Sequence, residues 1–348
     1  MKAMQEKNYS LLVTGIGLLL EKGRGQAFSM LNSIIIETYW NIGKKIVEFE
    51  QGGKKRAKYG QALLKRISFD LGQDYGRGVS RSNLQYMRLF YLRYPICQTS
   101  GKLSWSHYAE LISISNNEER GFYEKQCEEE NWGVKELKRQ IASKLFYRLP
   151  AAKNKCGFLQ LASEGHKVKK AEDIIKDPYV LEFLKLPEPY SEKELEERII
   201  ENLQMFLLEL GKGFSFVARQ FKMSIGRKQF YADLVFYNKI LRCYVLIELK
   251  AGEASHTNIG QMNLYLNYFK SKVNSEEDNE PIGIILSRNK ENVEVKYALG
   301  GVSSRIFASR YMLSLPSPDE LKLLVEKAKI CCKAIEISKE DSDEPKRG

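Results

Sequence analysis

The chain has 348 residues, 43% of them hydrophobic, and carries a formal net charge of +11. That length is one very large domain or two ordinary ones, with apolar content enough for real cores, which excludes a small disulfide-stapled scaffold and a disordered chain. The apolar run Leu11 to Leu20 lacks a small-x-small cleavage site, is followed by Glu21-Lys22-Gly23-Arg24 and is too short to span a bilayer, so the sequence reads as cytoplasmic with no membrane partner.

Residues 5–22 predict an amphipathic helix. Residues 26–50 predict a longer one, with Leu31, Ile34, Ile35, Tyr39, Ile42 and Ile46 on one broad stripe. Gly52-Gly53 ends it, and a third helix is expected over 57–71. Asp74 to Ser80 is a turn, Ser80 is a good N-cap, and a helix over 81–93 stops before Pro95. From Ile42 to Tyr94 there are twelve Lys/Arg against four acids, a local excess of +8 that points to a polyanion. The pair 57–71 and 81–93 reads either as a helix-turn-helix or as an ordinary hairpin. Leu84, Met87 and Tyr91 face inward in both, while Arg81, Gln85 and Arg88 share the outer face. Contact with DNA is favoured because the basic excess, including Lys54, Lys55 and Arg56, coincides with this pair. The connection is longer than in a compact helix-turn-helix.

Helices follow at 103–114, 117–130 and 133–147, with Trp105, Tyr108, Trp132, Leu137, Ile141 and Leu145 as core. His107 has no nucleophile or metal partner in view and reads as structural. The six cysteines form no CxxC and no zinc spacing with His107, His166 or His256, which suits a reducing compartment. Domain boundaries are expected at 1–150 (all-α, nucleic-acid binding), 151–174 (connector), 175–335 (α/β) and 336–348 (polar tail).

The second half opens with a short helix from Asp177-Pro178 to Leu184 and a strong helix over 191–210, capped by Ser191. Strands are expected at 214–221, 230–237 and 241–249, then a helix from Thr257. An acidic loop at 275–280 precedes strands at 282–286, 293–299 and 305–311 and a closing helix at 318–334. This order predicts a mixed sheet flanked by helices, with a right-handed crossover across 241–287.

Two strands carry acids. Asp233 interrupts the apolar run Phe230 to Tyr237, and Glu248 ends the run Leu241 to Leu249, followed by Lys250. Unpaired buried charge is expensive. Alternation puts Glu248 and Lys250 on one face, and a short turn at Asn238-Lys239-Ile240 brings Asp233 near Glu248. Two carboxylates sharing a site repel, and an oxygen-ligand cation such as Mg2+ relieves the repulsion. A lysine beside them can orient water or stabilise charge on a phosphate, which is what metal-dependent phosphodiester hydrolysis needs. A surface Glu-x-Lys ion pair is the bland alternative. The apolar setting of both strands weighs against it, as do Gln261 and Tyr265 one helical turn apart just downstream.

Asp233, Glu248 and Lys250 stand as in the motif of the PD-(D/E)XK nucleases, and Gln261 and Tyr265 as in the Gln-x-x-x-Tyr motif of the RecB-like branch. The wider chain resembles the YhcG family, through YWNIGKKIVEFEQ (39–51), LSWSHYAELISI (103–114), IKDPYVLEFL (175–184), LLELGKGFSFVARQ (207–220) and the 230–268 block. Ala232 replaces the proline of the motif's name. The resemblance implies a restriction-endonuclease-like α/β domain behind an all-α domain. It also implies Mg2+ (or Mn2+) dependence, cleavage of DNA with RNA as the alternative substrate, and a role in foreign-DNA defence or in recombination and repair. Asp233 and Glu248 would hold the metal, Lys250 would orient the water, Gln261 would position it, and Tyr265 would support the cleft. A helix acid often joins such a site. Glu196, Glu197 and Glu201 are the candidates, with the shared face of Glu197 and Glu201 favoured, and Gln220 is placed at the cleft edge. Members of the superfamily often act as homodimers, although no heptad here marks a seam. A DNA-binding scaffold with a silent site is the rival from another class, and the complete Asp/Glu/Lys set argues against it.

Overall fold

The computed structural model describes residues 2–51, 60–94, 101–149, 155–289 and 305–316. The chain divides into two compact units, Met1–Lys138 and Arg139–Gly348. The first is helical: α1 (Lys2–Gln51), α2 (Gly60–Tyr75), α3 (Arg81–Arg93), α4 (Trp105–Leu111), α5 (Asn117–Glu130) and the start of α6 (Val134–Ala142). α1 runs unbroken through Gly23 and Gly25, where two helices were expected. Neither glycine takes a positive φ, and glycine alone lowers helix propensity without ending a helix.

α3 forms where expected, with Ser80 Oγ accepting from the Asn83 N–H at 3.3 Å. It crosses α1 so closely at Gly43 that a Cβ there would lie 2.1 Å from the Met87 carbonyl oxygen. Ile46, Leu64, Leu84 and Met87 fill the seam. His107 is a structural residue. Its Nδ1 accepts from Ser104 Oγ at 2.8 Å, and its Nε2 donates to the Trp132 carbonyl at 3.0 Å.

The second unit adds α7 (Leu145–Arg148), α8 (Lys155–Glu164), β1 (Tyr179–Val180), α9 (Glu192–Glu201), α10 (Leu203–Leu210), β2 (Phe214–Ile225), β3 (Lys228–Asn238), β4 (Cys243–Glu253), α11 (His256–Lys272), β5 (Ile282–Asn289) and β6 (Ile306–Met312). They build one six-stranded sheet in the order β1-β6-β5-β4-β3-β2. β2, β3 and β4 form an antiparallel meander, while β4, β5, β6 and β1 run parallel. The sheet is mixed, as expected, with α11 as the crossover from β4 to β5. One face packs Leu195, Ile199, Phe206 and Leu210 of α9 and α10 against Phe236, Val245, Ile247 and Ile284. The other packs Ile259, Met262, Tyr265 and Phe269 of α11 against Val235, Leu246 and Ile285.

Several elements differ from expectation. The stretch over 133–147 splits at Lys144, which takes φ 54°. Within the expected connector, Lys155–Glu164 forms α8, and Ile174 belongs to the sheet core. Tyr179–Val180 is a strand rather than the start of a helix, pairing with Tyr311 and Met312. The helix over 191–210 breaks at Asn202, whose Nδ2 donates to the Arg198 carbonyl at 3.0 Å. The compact units divide at 138/139, and Arg139 and Arg148 belong to the second core. Both hold the buried Glu209 carboxylate, at 3.1 and 2.5 Å, and Val180 N–H adds a third bond at 3.0 Å. Burial alone would raise the Glu209 carboxyl, but Arg148, Lys176 and Arg139 outweigh it and hold it at about 2. Lys54, Lys55, Arg56, the expected strand 293–299, the helix 318–334 and the tail lie outside the described residues. Among the described residues no helix is long and apolar enough to cross a membrane.

Candidate active site

Strand register assembles the site. Leu234 pairs with Ile247, so one step along the ladder Asp233 stands opposite Glu248. Arg219 pairs with Leu234 and Phe221 with Ala232, so Gln220 stands opposite Asp233. The side chains of Gln220, Asp233 and Glu248 thus lie in one row across β2, β3 and β4. β2 and β3 both change phase near this row. On β2, Phe214 and Phe216 pack on the α9/α10 face, whereas Phe221 and Met223 pack on the α11 face. On β3, Phe230 and Ala232 lie on the α11 face and Leu234 and Phe236 on the other. Gln220 takes φ 49°, in the left-handed region, while the β2–β3 register runs unbroken across it; the ladder's register shift lies earlier on β2, between Phe216 and Ala218.

The polar contacts are dense. Asp233 Oδ2 accepts from the Leu249 N–H at 2.8 Å, and Oδ1 accepts from Gln220 Nε2 at 3.0 Å. Gln220 Nε2 also donates to Glu196, which is buried on α9 and accepts from Arg219 as well. Lys250 Nζ donates to Glu248 Oε1 at 3.2 Å and to Glu192 Oε2 at 3.0 Å. Glu248 is 5% exposed, and its Oε2 is buried with no hydrogen-bond partner. Tyr265 donates to the Tyr231 carbonyl at 3.1 Å, and Gln261 donates its amide to the Tyr265 hydroxyl. The Lys250 carbonyl accepts from Tyr311 at 3.2 Å, and Tyr311 is paired with Tyr190.

The electrostatics follow from burial. Burial raises Asp233 against the Leu249 N–H and Lys250, which pull it down. Glu248 is pushed up to about 7, by burial first and by the Asp233 charge second. Burial disfavours the Lys250 ammonium, but Glu248 and Glu192 outweigh it and keep the group above its ordinary value. The site therefore holds a firm cation beside two carboxyls that resist ionising together.

The helix acid that reaches this row is Glu196, not Glu197 or Glu201. Glu197 is 45% exposed and lies 4.0 Å from Lys193 and 3.8 Å from Arg219. Glu201 is 61% exposed and pairs with Arg198 at 3.1 Å. A shared helical face is a solvent face here, because Leu195 and Ile199 turn the opposite side inward. Glu192 was missed. The signal was its place in the first turn of α9, which the sequence could not pair with Lys250, 58 residues on. In the first unit Arg81 is exposed and Gln85 half-buried, but Arg88 is committed to Glu50 at 2.7 Å. A cavity of about 320 Å3 between Lys170, Cys243 and Arg305 contains none of the row's residues. Among the described residues, no three His, Cys, Asp or Glu side chains form a metal-binding cluster.

Comparison with known proteins decides the family. Residues 15–148 match the DUF1016 N-terminal domain, and residues 172–326 match the YhcG PDDEXK nuclease domain. A protein of Escherichia coli (strain K12) named YhcG, a nuclease candidate by that name, is 38% identical over 351 residues, spanning 91% of this chain and 93% of its own. The chain belongs to the YhcG family. Its C-terminal unit is accordingly a nuclease domain of PDDEXK type. Solved structures give weaker likenesses. A repair endonuclease from Pyrococcus abyssi is 21% identical over 36% of this chain and 48% of its own, with a TM-score of 0.26. EndoMS in its dsDNA complex is 20% identical over 36% and 46%, with a TM-score of 0.27. Each match thus takes in less than half of the solved chain.

Proposed function

We propose that the chain is a metal-dependent endonuclease that hydrolyses phosphodiester bonds in DNA, and that Asp233, Glu248 and Lys250 carry the chemistry. The observation that bears most weight is the Asp233–Glu248 pair, with Glu248 Oε2 buried and unpartnered beside a second carboxyl. A hard divalent cation, Mg2+ or Mn2+, fits that donor set. Mg2+ keeps several waters and needs only one or two protein carboxylates besides the substrate phosphate, so two acids suffice. Such a cation would supply charge neutralisation and a more acidic water.

The chain's own residues do the rest. Asp233 is held in place by the Leu249 N–H and Gln220. Lys250 stays protonated under Glu248 and Glu192, so it serves as a fixed positive charge that orients water or neutralises a phosphate oxygen rather than as a base. Glu196 supports the row indirectly, by fixing Gln220 and Arg219. Gln261 and Tyr265 tie α11 to β3 next to the row, a positioning role. Arg81 and the basic excess of 42–94 support phosphate contact by the helical unit. The free, buried Cys127 and Cys243 suit a reducing cytoplasm.

The test is cleavage of branched, linear duplex and single-stranded DNA and of RNA, with Mg2+, Mn2+ or EDTA, by wild type, Asp233→Ala and Lys250→Ala. Metal-dependent DNA cutting lost in both variants is the expected result. Cutting that survives both substitutions places the active site elsewhere. Cutting of RNA alone moves the substrate. Binding without cutting leaves a scaffold.

A further inference from the structure

The β2–β3 hairpin runs on past the row of Gln220, Asp233 and Glu248. β3 pairs with β4 only as far as Leu234, opposite Ile247, while its pairing with β2 continues out to Ile225 and Lys228. The outer half, residues 221–232, is therefore an arm that leaves β4 at Asp233. Gly226 and Arg227 close it in a two-residue turn, with Gly226 at φ 61° as tight hairpin turns require. Its root is fixed, because Tyr265 of α11 donates to the Tyr231 carbonyl. One face of the arm is apolar, with Phe221, Met223, Phe230 and Ala232 packed among the side chains of α11.

The other face is polar and bare. Side chains alternate along a strand, so the face that carries Gln220 and Asp233 at the root carries Lys222 and Tyr231 in the next pair out, and Ser224 and Gln229 in the pair after that. All four of these outer residues are exposed. From 210 to 232 the chain has five Lys/Arg and no acid. Arg219 is taken by Glu196 and Glu197. Lys222, Arg227 and Lys228 are exposed and have no acid partner among the described residues. An uncompensated positive edge that starts at the two carboxyls and leads away from them is complementary to a polyanion held across those carboxyls.

Resting on the reading of the C-terminal unit as a DNA nuclease, we propose that this face of the hairpin lies along the phosphate backbone of duplex DNA on one side of the cut. A strand residue and a base pair each advance about 3.4 Å. Lys222 thus neutralises a phosphate about two base pairs from the scissile bond, and Arg227 and Lys228 neutralise phosphates about five base pairs from it. Ser224, Gln229 and Tyr231 supply hydroxyl and amide contacts that fix the register of the duplex without reading its sequence.

Fluorescence anisotropy of a labelled duplex of about 30 base pairs, titrated with the full chain in EDTA from about 50 to 300 mM KCl, tests the arm. Lys222→Ala/Arg227→Ala/Lys228→Ala should flatten the log–log salt slope by about 2–3 and weaken binding at least about tenfold at 150 mM. Lys239→Ala, beyond the other end of β3, should leave the slope unmoved. A second measurement keeps every cation: p-benzoyl-phenylalanine placed at Gln229 should photocrosslink the duplex, and placed at Lys239 should not. An unchanged slope in the triple variant overturns the proposal even where wild type cuts DNA, as does equal crosslinking from both positions or from neither. Loss of solubility at an unchanged slope overturns it too, since guarding a strand edge against self-pairing is the other use of lysine there. A flattened slope with crosslinking at 229, in a chain that cuts nothing, upholds the arm and fails the nuclease reading instead.

Discussion

Glu248→Gln should do two opposite things. In the metal-free protein at about pH 8 it should stabilise the fold, and in the same protein it should abolish the response to Mg2+. Glu248 titrates at about 7 in the folded chain, from an ordinary carboxylate value of 4.5. A folded pKa raised above the unfolded one means that the ionised form penalises folding. The penalty is absent below the unfolded value, grows through the window from 4.5 to about 7, and is complete above it. At 1.36 kcal/mol per unit the limit is about 3 kcal/mol. Gln gives back only part of that, because Lys250 loses one of its two hydrogen-bonded acids and is left with the half-exposed Glu192 and the more distant Asp233 charge. A net gain of about 1–2 kcal/mol is expected, which in a unit of this size raises Tm by about 3–6 °C. The assay is thermal unfolding of both proteins in EDTA at pH 8, 6 and 4, repeated with millimolar MgCl2. The gain should shrink as pH falls and nearly vanish at pH 4. Mg2+ should raise the Tm of wild type and leave Glu248→Gln unmoved. Equal stability of the two proteins in EDTA at pH 8, or equal stabilisation of both by Mg2+, refutes the reasoning.

Four further outcomes are expected. Glu196→Ala should lower cleavage at least about tenfold by freeing Gln220 and Arg219, whereas Glu197→Ala and Glu201→Ala should stay within about twofold, read as initial rates on one DNA substrate. Glu209→Ala should destabilise by about 3–5 kcal/mol, since Arg139 and Arg148 lose their buried counter-charge; denaturant midpoints check it. Arg81→Ala should weaken DNA binding and flatten the log–log salt slope by about one charge, while Arg88→Ala should cost stability through lost Glu50 pairing and leave that slope unchanged. His166 is half-buried by surface exposure, and desolvation together with Lys176 depresses it to about 4 from 6.5. Stability from this group is full above 6.5 and is lost as pH falls towards 4; His166→Gln should flatten that limb in pH-dependent unfolding.

Much of the site was legible because it is local. Asp233, Glu248 and Lys250 sit within one hairpin, so alternation and a short turn were enough to bring them together. The same holds for α3, whose cap and end are written in Ser80 and Pro95. What escaped depends on distance along the chain. Choosing Glu196 over Glu197 and Glu201 required knowing that Gln220, 24 positions on, donates its amide to it. Arg88 looked like a recognition residue until Glu50, 38 positions away, claimed it. The break at Asn202 is a small polar residue bonding back to its own helix, against a flanking apolar period that continues undisturbed.

The arginine clamp on Glu209 sets how the molecule can be taken apart. The family match for the nuclease domain begins at residue 172, and a fragment cut there would leave the Glu209 carboxylate sealed in the core with its two guanidinium partners on the discarded piece. A cut at 151 fails for the same reason. A fragment beginning shortly before Arg139 keeps both arginines, so the last turns of the helical half are the first structural requirement of the catalytic half, and dissection should follow the ion pairs rather than the domain homology.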